Sequence, residues 1–270
     1  MELYLPLILL MLATGLVGGL MAGLMGIGGG IVIVPVLEFA LGYIGVDPEI
    51  RMHVAVGTSL ATIIPTSISS IRAHRKRGAV DFALARHWAP PIFLGAILGS
   101  WIASQVDSSG LTAVFGIVAL FVAVKMMLPM ENIRAAASVP RGVAGLMPPA
   151  IIGTISTMMG IGGGALSVTT LTLFNVPIHR AVGTSALFGL LIVVPGTIGF
   201  MILGQGNSLL PPGSVGFVNV IGFLIISPAT FLAAPLGAKI AHALTQRQLS
   251  ITFGAFFLIV AVRMLYRTFM

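Results

Sequence analysis

The pentapeptide GIGGG occurs twice in this chain, at Gly26–Gly30 and again at Gly160–Gly164. Each copy is followed by a second repeated pentapeptide, AVGTS, at Ala55–Ser59 and at Ala181–Ser185. Two pairs of identical motifs in the same order indicate an internal duplication. In transporters, duplicated halves of this kind enclose the substrate site at their interface.

The composition predicts an all-α polytopic membrane protein. Of the 270 residues, 57% are hydrophobic and only 8% are charged. A soluble domain carries about 25% charged residues, so this chain cannot cover a water-facing surface. Apolar runs of about 20 residues, the length that crosses a bilayer, fill most of the sequence. Because the chain has no Cys, disulfides and thiolate metal sites are excluded.

The positive charge of the chain is interpreted as a membrane feature. A net charge of +7 would suggest nucleic acid in a soluble protein, but here it indicates basic cytoplasmic loops beside anionic lipid. The partners expected are therefore membrane lipid and a small anionic substrate, with no nucleic acid. The first apolar stretch, Leu3–Met25, lacks a basic leader and is interpreted as part of the fold rather than a signal peptide.

Ten apolar segments divide the chain into two transmembrane repeats. They are predicted at residues 3–25, 31–45, 53–71, 83–106 and 110–128, and then at 143–159, 165–175, 180–203, 216–240 and 249–268. A polar cytoplasmic linker, 129–142, separates the first repeat, 1–128, from the second, 143–270. Because each repeat has five segments, an odd number, the second repeat would enter from the opposite side, which predicts two inverted-topology repeats.

The distribution of basic residues supports this topology. With the basic run Arg72–Arg77 placed as a cytoplasmic loop, only Arg51, Arg263 and Arg267 of the 14 Lys and Arg residues lie outside. This distribution follows the positive-inside rule and places both termini outside. The localisation expected is a bacterial inner (plasma) membrane.

Two segments are too short to cross a membrane, among them Ala165–Asn175 in the second half. A helix over Ala165–Asn175 would be about 16 Å long, against a hydrocarbon core of about 30 Å. The first two segments of each repeat are therefore predicted to form a hairpin of broken or re-entrant helices with GIGGG at its tip.

The repeated motifs are the predicted substrate site. Glycines allow a ligand to approach the backbone, and the N-terminus of the helix that follows favours an anion. The predicted binding residues are Gly26, Ile27, Gly28, Gly29, Gly30, Thr58, Ser59, Gly160, Ile161, Gly162, Gly163, Gly164, Thr184 and Ser185. The alternatives are a small-residue packing seam for the glycines and hydrogen bonds to helix carbonyls for the hydroxyls.

Three ionisable residues are candidates for a proton or anion relay: His53, His179 and Glu38. Each histidine lies two residues before an AVGTS motif, and both could instead be interfacial caps. Thr172 stands at the position in the second repeat that corresponds to Glu38, so the carboxylate is not repeated in the second half. A position in water at the mouth of the hairpin is its alternative.

The sequence contains none of the common enzyme motifs. GxxxxGK[ST], HExxH and GxSxG are all missing, so neither an enzyme nor a cofactor or metal requirement is predicted. Two other classes remain open. One is an intramembrane hydrolase that uses Ser59 or Ser185, and the other is a non-transporting scaffold.

The paired GIGGG motifs, their continuations IVIVP and ALSVTTL, and the paired AVGTS motifs resemble the TauE/SafE family over essentially the whole chain. Members of that family are bacterial and plant permeases associated with export of sulfite, sulfoacetate and related sulfur-containing anions. The resemblance implies a secondary transporter that exports such an anion by alternating access around a midplane site. A permease or channel for another small anion, in either direction, is the alternative, and a homodimer is left open.

Overall fold

The computed structural model describes residues 4–25, 29–76, 78–128, 140, 142–241 and 246–269. These residues form ten α-helices and one short β-hairpin. The helices are α1 Tyr4–Met25, α2 Gly30–Tyr43, α3 Pro48–Lys76, α4 Phe82–Gln105, α5 Ser108–Met127, α6 Val143–Met158, α7 Gly164–Leu173, α8 Ile178–Leu203, α9 Val220–Ala241 and α10 Gln246–Phe269. The strands β1 Ser214–Val215 and β2 Val218–Asn219 pair antiparallel between α8 and α9.

The predicted number of five helical segments per half is confirmed within the described residues. The end of the third segment was wrong. Helix α3 continues to Lys76, so residues 72–76 of the basic run predicted as a cytoplasmic loop belong to the last turns of that helix. Cationic side chains are favourable there because they face the negative end of the helix dipole. Most of the predicted linker 129–142 lies outside the described residues.

Four of the described helical stretches are long and apolar enough to cross a membrane: Pro48–Lys76, Ser108–Met127, Arg180–Leu203 and Val220–Gly237. Helix α7 has 10 residues. It is therefore about 15 Å long, half the thickness of a hydrocarbon core of about 30 Å. The short segment predicted after the second glycine motif is thus confirmed.

The helix contacts follow one plan in both halves. Helix α1 packs along α9, and its counterpart α6 packs along α4, the counterpart of α9. Helices α3 and α8, which correspond to each other, are in direct contact, and so are α5 and α10. These principal contacts are therefore preserved when the two halves are exchanged.

Small residues bring the helices of these pairs together. Gly19 of α1 lies against the backbone of Thr230, and Gly153 of α6 lies against the backbone of Ile92. The two glycines are 153 − 19 = 134 residues apart, the same offset as the two GIGGG motifs (160 − 26 = 134). In a membrane such glycines allow close backbone packing, which supplies the van der Waals contact that holds helices together.

Corresponding helices run in opposite directions where they touch. A Cβ at Gly116 of α5 would lie 2.8 Å from Leu265 Cγ of α10, and one at Gly254 of α10 would lie 2.5 Å from Met127 Cγ of α5. The early part of each helix thus meets the late part of the other. In the α3–α8 pair, likewise, a Cβ at Gly189 would lie 3.4 Å from Ser67 Oγ, while Gly57 contacts Phe200.

Candidate functional site

The two glycine motifs contact each other at the buried centre of the molecule. Gly30 of the first motif and Gly160 of the second are both buried. A Cβ at Gly30 would collide with the Gly160 carbonyl oxygen and lie 3.0 Å from Ile161 Cα. Gly26, Ile27 and Gly28 lie outside the described residues, so this contact is made by the end of the first motif.

The fourth glycine of each motif is left-handed, and a helix begins at the fifth. Gly29 has φ 77° and is the N-cap of α2, while Gly163 has φ 67° and is the N-cap of α7. A residue with a Cβ rarely adopts this conformation, so glycine is required there. The first N–H groups of a helix have no acceptor within it. Both motifs therefore present backbone donors and the positive end of a helix dipole.

The threonines of the AVGTS motifs hold helix starts in the opposite half. The Thr58 hydroxyl accepts a 2.9 Å hydrogen bond from the Asn219 backbone N–H at the start of α9. The Thr184 hydroxyl accepts a 3.0 Å hydrogen bond from the Asp81 backbone N–H at the start of α4. Neither threonine hydroxyl donates a hydrogen bond within the part of the chain that the structure describes.

Asp81 and Asn219 occupy corresponding positions in the two halves. The Asp81 side chain accepts a hydrogen bond from Leu84 N at 3.0 Å, and Asn219 Oδ1 accepts one from Gly222 N at 2.8 Å. Both are therefore N-caps, and their offset is 219 − 81 = 138 residues. Residues 78–82 thus correspond to residues 216–220.

The serines of the AVGTS motifs have different environments. The Ser59 hydroxyl donates to the Gly160 carbonyl at 2.8 Å. Its single proton is therefore already donated in this conformation. It is available neither to bind an anion nor to form a nucleophile–base pair. The Ser185 hydroxyl is buried, and no described residue is its hydrogen-bond partner.

Comparison with known proteins identifies the family of the chain. The sequence profile of the family described as "Sulfite exporter TauE/SafE" matches residues 11–264. The chain belongs to the TauE/SafE family. A probable membrane transporter protein of Haemophilus influenzae is 34% identical to it over 257 residues, which cover 95% of this chain and 97% of the relative.

More distant relatives also match the chain over nearly its full length. The probable membrane transporter protein YunE of Bacillus subtilis is 25% identical over 277 residues, covering 95% of this chain and 97% of the relative. A probable membrane transporter protein of Methanocaldococcus jannaschii is 28% identical over 261 residues, with 92% and 91% covered. No solved structure matches the chain. The predicted family is confirmed, and the TauE/SafE protein is a multi-pass membrane protein.

Sequence reasoning missed three buried hydroxyls near the second glycine motif. Ser156, Thr157 and Ser167 are each 0% exposed, and their hydroxyl oxygens have no hydrogen-bond partner among the described residues. The duplication could have revealed them. At the offset of 134 residues, Ser156 corresponds to Ala22 and Ser167 to Ile33, so hydroxyls replace apolar atoms only in the second half.

His53 acts as a cap within this TauE/SafE protein. Its Nε2 lies 3.0 Å from the carbonyl oxygens of Ala103 and of Val106, at the C-terminal end of α4. Carbonyls only accept, so Nε2 carries the proton. The ring centroid lies 5.0 Å from that of Phe217, with the two ring planes tilted by 34°. The histidine is buried within the protein, and the side chain of His179 lies outside the described residues.

Glu38 is paired inside the protein and does not lie in water. Its Oε1 is 3.9 Å from Arg51 Nη1, and only 8% of the Glu38 side chain is exposed. Arg51 also donates to the Val46 carbonyl from Nε at 3.2 Å and from Nη2 at 2.8 Å. The placement at a wet hairpin mouth was therefore wrong. The described residues contain no group of three His, Asp or Glu side chains that could hold a metal ion.

Proposed function

We propose that the protein is a secondary transporter that exports a small sulfur-containing anion, such as sulfite, sulfoacetate or a related organosulfonate. The observation that carries this proposal is the buried contact between the two glycine motifs, where Gly30 meets Gly160. The description of the family as a sulfite exporter supports the class of substrate. The names of the relatives support transport across a membrane.

We propose that the halves are inverted repeats. An axis that exchanges two corresponding helices running in opposite directions must be perpendicular to both of them. The antiparallel contacts of α5 with α10 and of α3 with α8 support such an axis, which would lie in the membrane plane. The hairpins α1–α2 and α6–α7 would then be re-entrant, with the glycine motifs near the midplane.

The anion is proposed to bind at the glycine motifs by helix N-termini and hydroxyls. Backbone N–H groups at the starts of α2 and α7 would face its oxygens, and the helix dipoles favour its negative charge. The membrane potential then provides a driving force for export. It expels an anion from a negative interior at about 2.3 kcal/mol per charge per 100 mV.

Alternating access is proposed to use the contacts that cross between the halves. Thr58 holds the start of α9, and Thr184 holds the start of α4. Each bond joins one half to the other, so movement of one helix bundle against the other must change them. When the transporter opens toward one face of the membrane, one of these two hydrogen bonds would lengthen while the other stays intact.

Efflux from vesicles tests the proposed function. Purified protein in a bacterial plasma-membrane lipid mixture would be loaded with radiolabelled sulfite or sulfoacetate, and the release of label would be timed. We expect saturable efflux above that of protein-free vesicles. Leu232→Ala is the matched control, because Leu232 is 71% exposed on α9 and should leave efflux unchanged. Efflux equal to that of empty vesicles for both anions would contradict the proposal.

A further inference from the structure

We propose that the anion is bound one-sidedly, by a half-site in the second repeat that recognises a sulfonate-type SO₃ group. The half-site consists of Ser156, Ser167 and Ser185 around the N-terminus of α7. This inference rests on the proposed function and deepens it, since it names the groups that bind the substrate and the part of the substrate that they bind.

Ser156 is directed at the start of α7. Its side chain is 0% exposed, and its Oγ has no partner among the described residues. A Cβ at Gly163, the N-cap of α7, would lie 3.1 Å from this Oγ. The hydroxyl is therefore adjacent to the positive end of the α7 dipole.

Ser167 adds a second hydroxyl in the first turn of α7. Its backbone N–H donates to the Gly163 carbonyl at 2.8 Å, which closes that turn. Its own hydroxyl is 0% exposed and unpaired among the described residues. The N–H groups of residues 164–166 precede this first intrahelical bond, so they have no acceptor in the helix.

Helix α8 presents the third hydroxyl on the face that covers the second motif. A Cβ at Gly189 would lie 3.0 Å from the Gly162 carbonyl oxygen, and Ile192 lies directly against Gly163. Ser185 is four residues before Gly189, so it lies on the same face of α8. It is 1% exposed, and its hydroxyl is unpaired within the described residues.

Three hydroxyls without a partner among the described residues are unfavourable in one buried region unless something binds there. A fourth, Thr157, is also unpaired among these residues but lies against Gly99 and Gly196, not against Gly163. A buried hydroxyl loses its hydrogen bonds to water and gains none in return. Native proteins leave few such groups, and those that remain call for an explanation. A ligand with several acceptor oxygens, held between α6, α7 and α8, would restore the lost hydrogen bonds.

The first half lacks the same donors. Ala22 and Ile33 stand at the positions that correspond to Ser156 and Ser167. Ser59, which corresponds to Ser185, already donates to the Gly160 carbonyl at 2.8 Å. The duplicated backbone thus has a hydroxyl-rich side and an apolar side, which places the charged group of the substrate off the two-fold axis.

The number and arrangement of donors favour a pyramidal group over a planar one. Three hydroxyls approach from three different helices, and a sulfonate has three equivalent acceptor oxygens. A carboxylate has its acceptor sites in one plane, so it fits hydroxyls from three helices with poorer hydrogen-bond geometry, which reduces its affinity. All three side chains are neutral, so the charge is stabilised by hydrogen bonds and the helix dipole.

Ligand-induced thermal stabilisation of the purified full-length protein tests this inference, with sulfoacetate as the probe and malonate as its carboxylate analogue. The variants are Ser156→Ala, Ser167→Ala and Ser185→Ala. Ser100→Ala is the matched control, because Ser100 is 3% exposed and its hydroxyl donates to Ile97 O of its own helix at 2.8 Å. If one variant fails to fold, the other two test the same claim.

We expect sulfoacetate to stabilise the wild type and Ser100→Ala, and malonate to stabilise neither. Each half-site variant should lose about tenfold or more in apparent affinity, because a hydrogen bond to a charged group is lost. Without ligand, the half-site variants should melt no lower than the wild type, since they remove no hydrogen bond. This combination separates a binding role from a structural one.

Two results would overturn the inference. One is unchanged sulfoacetate affinity in Ser156→Ala and Ser167→Ala, and the other is an equal loss in Ser100→Ala. If the wild type transports sulfoacetate in vesicles and the three variants keep its KM, only the half-site is wrong. If the wild type neither binds nor transports sulfoacetate or sulfite, the proposed function fails as well.

Discussion

At the scale of single residues, two threonines link the halves. Thr58 and Thr184 accept backbone hydrogen bonds from Asn219 and Asp81, at distances of 2.9 and 3.0 Å. Both threonines are 0% exposed. A buried N–H that loses its acceptor is costly, so these two bonds stabilise the interface between the repeats.

Thr58→Val and Thr184→Val should each lower the free energy of unfolding by about 1–3 kcal/mol, because Val keeps the shape but leaves a buried N–H unpaired. Thermal denaturation in detergent would measure the change. Thr230→Val is the control, since the Thr230 hydroxyl only donates to Ile226 O in its own helix. A control that is destabilised as much as the two variants would argue against a special role for these bonds.

The ion pair of Glu38 with Arg51 should be strongly coupled. Removing either partner alone leaves a charge in a largely buried position, which costs about 3–5 kcal/mol, whereas replacing both with apolar residues can be nearly neutral. Glu38→Leu and Arg51→Met should thus each destabilise the protein more than the double variant does. Chemical denaturation of the four proteins measures the coupling, and strictly additive losses would contradict a buried pair.

The sequence predicted which residues would come together but not what their side chains would bind. The identical motifs indicated the glycine tips and the AVGTS hydroxyls. The bond from Ser59 to Gly160 joins residues 101 apart in the chain, and that from Asn219 to Thr58 joins residues 161 apart. Such partners depend on tertiary packing, which neither local propensity nor motif spacing encodes.

At the scale of helices, length was the most reliable guide. The ten-residue α7 was predicted from its short apolar run. Before α9 the triplet pattern Gly-x-Val occurs twice, at 213–215 and at 216–218, so the pattern alone does not show which copy corresponds to residues 78–80. N-cap chemistry identifies the correct copy, since Asn219 follows the second one as Asp81 follows Gly78-Ala79-Val80.

Cross-linking tests the antiparallel packing of α5 and α10, and the absence of Cys from the chain makes each introduced pair unique. Two double-cysteine variants should form a disulfide on mild oxidation, because the residues of each pair are in contact. One is Gly116→Cys with Leu265→Cys, and the other is Gly254→Cys with Met127→Cys. Gly116→Cys with Gly254→Cys is the control. These residues lie about 16 Å apart along the helix axis, since 127 − 116 = 11 residues separate the contacts. A disulfide in the control pair would refute this packing.

At the scale of the whole molecule, the inverted arrangement predicts which ends of the helices face the cytoplasm. The C-terminal end of α3 should be inside and the loop after α8 outside. Arg75 and Gln205 are exposed residues at these two places. Because α3 and α8 touch in opposite directions, one labelling experiment tests both positions.

In intact cells, an impermeant maleimide should label Gln205→Cys but should label Arg75→Cys only after permeabilisation. The cysteine-free wild type is the background control. Labelling of both variants from outside, or the reverse pattern, would contradict the topology that places the glycine motifs between two inverted halves.

A small sulfur-containing anion is proposed to leave through a site between the two repeats, with its charged group held by the second. The most direct measurement is efflux of radiolabelled sulfoacetate from vesicles whose potential is set by a potassium gradient with valinomycin. We expect faster efflux when the interior is made negative, since each charge gains about 2.3 kcal/mol per 100 mV. Efflux should be strongly reduced in Ser156→Ala but not in Ser100→Ala. Efflux that matches protein-free vesicles at every potential would contradict this proposal.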